Sequence, residues 1–276
     1  MQNLLKSIFI SIFPVFALYV AGRYNLEIIQ SEAQLGIVGL MIMAISVVVF
    51  FIGLFVMPRA RTGRFLILYT ITITIGLVLT IIGRAAFEPI EYVYVSLLIV
   101  GWWLYLVWYS VFRNRDTSVV QVGNTLPTFT LETHQKEEVS STSFIGKPSI
   151  FLFYRGNWCP LCMAQIQEVV DQYKTLEEKG VHMIFVSPQP HGFSEKLAKK
   201  HGLQFQFLTD VKNTAAKKLG IASKNGIPFG FQVLGYDSDT VLPTVIITDR
   251  KGVIQFADVT DNYRVRPEPD FFLEYV

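Results

Sequence analysis

The two cysteines of this 276-residue chain stand two residues apart, in the run Trp158-Cys159-Pro160-Leu161-Cys162. An apolar stretch, Ser149–Tyr154, precedes them, and a helical pattern, Cys162–Lys179, follows. A dithiol with this spacing at a strand-to-helix turn suits reversible disulfide exchange, in which a thiolate attacks a disulfide sulfur and a second thiol resolves the mixed disulfide. A helix N-terminus offers unpaired N–H groups and the positive end of the helix dipole, both of which favour a thiolate. Cys159 is therefore expected to attack and Cys162, one turn along, to resolve. Pro160 fits the first helical position, where its missing N–H costs nothing. Arg155 is expected to lower the Cys159 pKa further, and Trp158 to flank the dithiol.

Other uses of a Cys pair fit less well. A permanent disulfide across two residues closes too short a loop to constrain the unfolded chain much. A structural zinc site needs a second pair of ligands, and His134, His182, His191 and His201 show no ligand spacing. Thiolates suit Cu(I), so delivery of that ion is a minor alternative, with no histidine placed to complete the site. No metal and no cofactor beyond a Cys159–Cys162 disulfide are expected.

The elements around the dithiol alternate. Strand-like runs lie at Thr128–Glu132, Ser149–Tyr154, Val181–Ser187, Phe205–Leu208, Thr244–Thr248 and Val253–Ala257. Helical patterns lie at Cys162–Lys179, Gly192–His201 and Val211–Leu219, with Gly180 closing the first. This order predicts an α/β domain ending in a hairpin that turns at Asp249–Gly252.

Three stretches carry a resemblance: FLFYRGNWCPLC from Phe151, VSPQPHGFSEKLAKKHGLQFQFLTD from Val186 and VLPTVIITDRKGVIQF from Val241. Together they resemble the thioredoxin superfamily and, within it, the alkyl hydroperoxide reductase/thiol-specific antioxidant (AhpC/TSA, redoxin) family, over about residues 120–276. The resemblance implies a thioredoxin-like fold and a cis peptide at Pro243, which with Thr244 would lie beside the dithiol. Peroxidases of the family place a proline and a threonine seven and three residues before the reactive cysteine. Here those positions are Leu152 and Gly156, so the hydroxyl that would orient a peroxide is missing.

Residues before about 113 are of another kind. The chain is 51% apolar with a mean hydropathy of +0.39, and the excess lies in this part. Ile37–Met57, Phe65–Ile82 and Val93–Phe112 contain no Asp, Glu, Lys or Arg, and each is near the roughly 20 apolar residues that cross a bilayer. Ile8–Val20 follows Lys6, holds Pro14 and ends beside Ala21-Gly22, a signal-peptide-like end, but reads better as an uncleaved first helix. The expected division is a membrane-spanning helical region, 1–113, a connector, 114–126, and the thioredoxin-like domain, 127–276. Arg59, Arg61 and Arg64 in one gap and Arg113 and Arg115 after the last span place the domain on the cytoplasmic face by the positive-inside rule, with the periplasmic face as the alternative. A bacterial inner membrane is the expected location. Arg84 and Glu88 read as interfacial loop charges, and Trp102 and Trp103 as packing against neighbouring helices.

Neither half carries a basic patch interleaved with aromatics, which argues against nucleic acid as a partner. The expected partners are the lipid bilayer, an external thiol reductant and a disulfide or peroxide substrate. The expected activity is membrane-anchored thiol–disulfide exchange through Cys159 and Cys162 in redox homeostasis. The alternative is a thiol peroxidase in which Cys159 is oxidised and Cys162 resolves. The segment Asn262–Pro267 (NYRVRP) reads as cover for a sheet edge rather than as part of the site.

Overall fold

The computed structural model describes residues 2–30, 34–83, 87–112, 115–172, 178, 180–201 and 206–276, of which 26–30 by backbone alone. The chain forms two compact units. One comprises Ile8–Pro58 and Thr62–Val111; the other comprises Met1–Ser7, Arg59–Arg61 and Phe112–Val276.

The first unit is helical: α1 (Gln2–Gln30), α2 (Leu35–Val56), α3 (Ile67–Ile82) and α4 (Pro89–Leu104), the last running into a π-helical turn at Tyr105–Tyr109. Three stretches, Gln2–Asn25, Leu35–Val56 and Pro89–Tyr109, are long and apolar enough to cross a membrane. Helix α3 is shorter than the expected Phe65–Ile82, because Leu66 takes a left-handed conformation (φ 46°) and starts the helix late. Its 16 residues rise about 24 Å, short of a hydrocarbon core of about 30 Å. Helices α2 and α3 meet backbone to backbone at Gly39 and Gly76. A β-carbon on Gly39 would lie 2.5 Å from the Gly76 carbonyl oxygen, so only small residues permit this crossing. Trp102 is buried and donates to Thr70 Oγ1 at 3.0 Å. Trp103 departs from expectation: it points outward and is 48% exposed, because one residue along a helix turns the side chain by about 100°. Arg84 lies outside the described residues. Among the described residues of this unit Glu91 is a buried carboxyl, whose Oε1 accepts from Tyr24 Oη at 2.7 Å.

The second unit is built on a seven-stranded sheet. Its strands are β1 (Thr130–Glu132), β2 (Glu138–Ser140), β3 (Ser149–Phe153), β4 (His182–Ser187), β5 (Gln206–Thr209), β8 (Thr244–Thr248) and β9 (Ile254–Asp258), in the order β2-β1-β5-β4-β3-β8-β9. Strands β3, β4 and β5 run parallel, and β8 pairs antiparallel with β3. Every residue of β3 and β8 is buried, which explains why both read as unbroken apolar or β-branched runs rather than as alternation. Helices α5 (Pro160–Asp171), α6 (His191–His201), α7 (Thr214–Lys218) and α8 (Pro269–Phe272) complete the domain, with a two-stranded ribbon of β6 (Ala222–Ser223) and β7 (Thr240–Val241). This is a thioredoxin-like α/β arrangement.

The β8–β9 hairpin closes where expected: Asp249 Oδ1 accepts from the Lys251 and Val253 N–H groups, and Gly252 supplies a φ of +78°. One core cluster contains Phe129, Phe151, Phe153, Ile184, Ile246 and Ile254. Val120 belongs to it too, so part of the expected connector packs as domain. Asp210, at the end of β5, accepts from the N–H groups of Ala215 and Ala216 at 2.8 Å each and from Thr214 Oγ1 at 3.1 Å. It thereby supplies the orphan donors that open α7 with an acceptor. Arg61 adds an ion pair to this unit, with Nη2 on Glu168 Oε2 of α5 at 2.5 Å.

Candidate active site: a buried dithiol under a guanidinium

Strand β3 delivers the chain to Tyr154 at the end of the sheet, and Gly156 turns it toward α5 with a φ of +143°. The Cys159 N–H donates to Gly156 O at 3.2 Å, and Cys159 O accepts from the N–H groups of Cys162 (3.0 Å) and Met163 (3.0 Å). Cys159 is the N-cap of α5, with extended backbone, and Pro160 occupies the first turn as expected. Cys162 follows one turn into the helix.

Both cysteines are free thiols, with their sulfurs 2.7 Å apart. That separation is longer than a covalent S–S bond of about 2.05 Å and puts the two sulfurs in direct contact. Cys159 is 3% exposed and Cys162 0%, so the slight access that exists belongs to Cys159.

The ionisation differs from the sequence expectation. Burial raises the Cys159 thiol well above its ordinary value, and its contact with Cys162 raises it further. The Cys159 side chain makes no capping hydrogen bond to the helix. The depressed group is Cys162. Burial works against its anion, but the hydrogen bond with Cys159, the Arg266 charge and the Arg155 backbone N–H outweigh burial and bring it down to about 5. Of the two thiols in the reduced pair, Cys162 is the more acidic.

Arg266 supplies much of that stabilisation. It is 6% exposed, and its Nη2 lies 3.5 Å from Cys162 Sγ. Nη1 donates to Gln165 Oε1 at 2.8 Å and Nε to Tyr263 O at 2.9 Å. Burial alone would lower its pKa, yet the two sulfurs hold it charged and raise the value. The stretch read as sheet-edge cover therefore contributes a charge directly to the dithiol.

The remaining expected residues divide. Arg155 lowers Cys159 through its charge, as expected, and Cys162 through its backbone N–H, while its guanidinium stacks over Trp158, 4.7 Å from the ring centre, and donates to Gly226 O. Trp158 also packs edge-on against Phe231 at 5.8 Å. Thr244 opens β8 opposite Phe153, at the end of the sheet that carries the dithiol turn. Its hydroxyl donates to Leu242 O at 2.8 Å and accepts from Arg115, rather than meeting a sulfur. The Leu242–Pro243 peptide is trans, since no cis peptide occurs among the described residues. This corrects the cis expectation. Trans is the ordinary X–Pro state by about 0.5–1 kcal/mol, and Pro243 O accepts from Arg115 Nη2 at 3.4 Å in this form.

Arg115 is one of the charges expected to follow the last span. It is largely buried in the domain, donating to Thr260 O at 2.9 Å and lying near Asp258, and burial lowers its pKa to about 10. A polar layer also lies beneath the dithiol turn. Gln189 Oε1 accepts from the Asn157 N–H at 2.8 Å while its Nε2 donates to Tyr154 Oη at 2.9 Å, and Tyr236 Oη donates to Asn157 Oδ1. Burial, and then the charge on Cys162, push the Tyr154 phenol up, so it stays neutral beside the thiolate. No group of three or more His, Cys, Asp or Glu side chains that could hold a metal ion occurs among the described residues.

Residues 122–257 match the family model described as the AhpC/TSA family. A peroxiredoxin Q, chloroplastic, from Sedum lineare is 31% identical over 111 residues, which cover 40% of this chain and 60% of that protein. The thiol-disulfide oxidoreductase ResA of Geobacillus thermodenitrificans is 25% identical over 150 residues, covering 53% of this chain and 75% of the other. A crystal structure of Enterococcus faecalis AhpC superposes with a TM-score of 0.44 at 17% identity, over 55% of this chain and 88% of that one. The chain spans about three-fifths of the length of the peroxiredoxin Q proteins that it matches.

Proposed function

For a chain whose residues 122–257 form an AhpC/TSA-family domain, we propose membrane-anchored thiol–disulfide exchange through Cys159 and Cys162. The observation that carries this reading is the pair itself: two reduced sulfurs 2.7 Å apart at a turn where the peroxide-orienting threonine is replaced by Gly156. Cys159, with its slight exposure, attacks the substrate disulfide, and its proton passes to the departing substrate thiolate. Cys162 then displaces the substrate thiol, which leaves the Cys159–Cys162 disulfide to be reduced by an external thiol donor. Replacing Cys159 with Ser abolishes insulin-type disulfide reduction in this account, and Cys162→Ser accumulates mixed disulfides. Undiminished turnover by the Cys159 variant overturns the assignment.

A second reading, thiol peroxidase, draws support from the likeness to peroxiredoxin Q. In it a hydroperoxide oxidises Cys159 to a sulfenic acid, and Cys162 condenses with it to give the disulfide and water. Stopped-flow oxidation by hydrogen peroxide separates the two, since only a peroxidase outpaces a free thiol of equal thiolate fraction.

The bilayer is the proposed partner of the three long apolar helices. The cytoplasmic face is the proposed side of the domain, supported by Arg59, Arg61 and Arg64 in one gap, in a bacterial inner membrane. A C-terminal reporter that is active on only one side of the membrane tests the orientation.

A further inference from the structure

We infer that Arg266 is a positioning residue that keeps Cys162 ionised for its attack on a Cys159 mixed disulfide; the inference rests on the exchange reading above. The geometry is specific. A sulfur with essentially no exposure needs a compensating charge to exist as an anion. Arg266 supplies it at 3.5 Å, and the guanidinium is not free to swing away. Gln165 holds one edge and Tyr263 O another, while Arg61 Nε donates to the Arg266 carbonyl at 3.3 Å. Gln165 sits three residues beyond Cys162 on α5, so one helix face presents both the sulfur and the clamp on its counter-ion.

The step balances without a further reagent. Cys162 S⁻ attacks Cys159 Sγ, the Cys159–Cys162 bond forms as the bond from Cys159 to the substrate sulfur breaks, and the electron pair leaves on that sulfur, which takes a proton from water. Two electrons have then passed from the dithiol to the substrate disulfide. A buried residue that kept Cys162 protonated would block this step below the thiol pKa; Arg266 removes that block. Among the described residues, Arg155 also lowers Cys159 through its charge, Tyr154 faces Cys162, and Asp258 acts on Arg266.

The test uses the reduced full chain in detergent and an aromatic disulfide such as DTNB. Its first thionitrobenzoate is released on attack by the protein and its second on resolution by Cys162. Wild-type protein, Arg266→Lys, Arg266→Met and Gln165→Met are compared from pH 5 to 9. The second release is expected to depend less steeply on pH in the wild type than in Arg266→Met. It is expected to fall about twofold to tenfold at pH 6 in Arg266→Met, as loss of a charge-assisted bond shifts the thiol by about one to two units, and to be largely restored in Arg266→Lys. Above the shifted pKa the Arg266→Met thiolate matches or exceeds the wild-type rate, because a more basic thiolate is more nucleophilic. A purely structural defect does not produce that crossing. Identical pH profiles in all variants overturn the inference, while absence of a second release in the wild type overturns the exchange reading instead. Should Arg266→Met fail to fold, a Gln165→Met profile with no shift toward higher pH against Arg266→Lys overturns the role equally.

Discussion

Gly156 and Trp158 leave no room between them: a β-carbon on Gly156 would lie 2.7 Å from the indole Nε1. The backbone there also has a φ of +143°, a region that side-chain-bearing residues rarely occupy. Position 156, where the resemblance to AhpC/TSA peroxidases implies a threonine, is thus shaped around the absence of a side chain. Gly156→Thr is expected to lower stability by about 1–3 kcal/mol and to add no peroxidase rate. Thermal unfolding and peroxide consumption measured on one preparation check both parts, and a gain in peroxide turnover contradicts the account.

The ionisation of the dithiol gives stability a pH signature. Cys162 binds its proton more weakly in the folded chain, near 5 against an ordinary 9.0, so unfolding takes up a proton between those values. Stability of the reduced protein therefore rises with pH across that window and is lost as pH falls through about 5. Cys159 acts in the opposite sense above the ordinary thiol range, since its folded thiol keeps its proton longer. Melting temperatures of reduced wild type and Cys162→Ala, compared from pH 5 to 9, should diverge as pH rises; parallel curves contradict the assignment.

Arg115 ties the start of the domain to Thr260 O, Pro243 O and Thr244. Arg115→Met leaves those acceptors without their charged donor and is expected to cost about 2–3 kcal/mol. The pH profile of dithiol alkylation should be unchanged, because Arg115 is not among the charges that lower Cys162. Denaturant midpoints and iodoacetamide alkylation rates read the two effects separately.

Asp210 opens α7 by accepting three hydrogen bonds. Asp210→Ala is expected to destabilise by about 1–2 kcal/mol, as loss of a helix cap does, with Asp210→Asn recovering part of the loss. Equal stability of both variants and the wild type contradicts the capping role.

The dithiol, the buried strands β3 and β8 and the hairpin at Asp249–Gly252 are local features, and local patterns predicted them. A continuous apolar run next to Gly156 and a CxxC needs no distant information. Arg266 is different, since it meets Cys162 across 104 positions of sequence, and a lone Arg in an aromatic-basic segment gives no sign of where it folds. The signal in the sequence is the pairing of Arg264 and Arg266 with an aromatic residue in one short segment; the structure buries both arginines. The same distance hid the assignment of charge within the pair. Helix-end reasoning favoured Cys159, but burial and a remote guanidinium decide for Cys162. Strands β6 and β7, two residues each, are too short to show any periodicity.

The most direct test of the central claim is a competition for the reduced dithiol. Stopped-flow oxidation of the full chain in detergent is followed with a protein disulfide in one syringe and with hydrogen peroxide in another, at equal concentrations. The account predicts fast oxidation by the disulfide, abolished in Cys159→Ser, with peroxide reacting no faster than it does with a free thiol of equal thiolate fraction. Faster oxidation by peroxide than by the disulfide would contradict it.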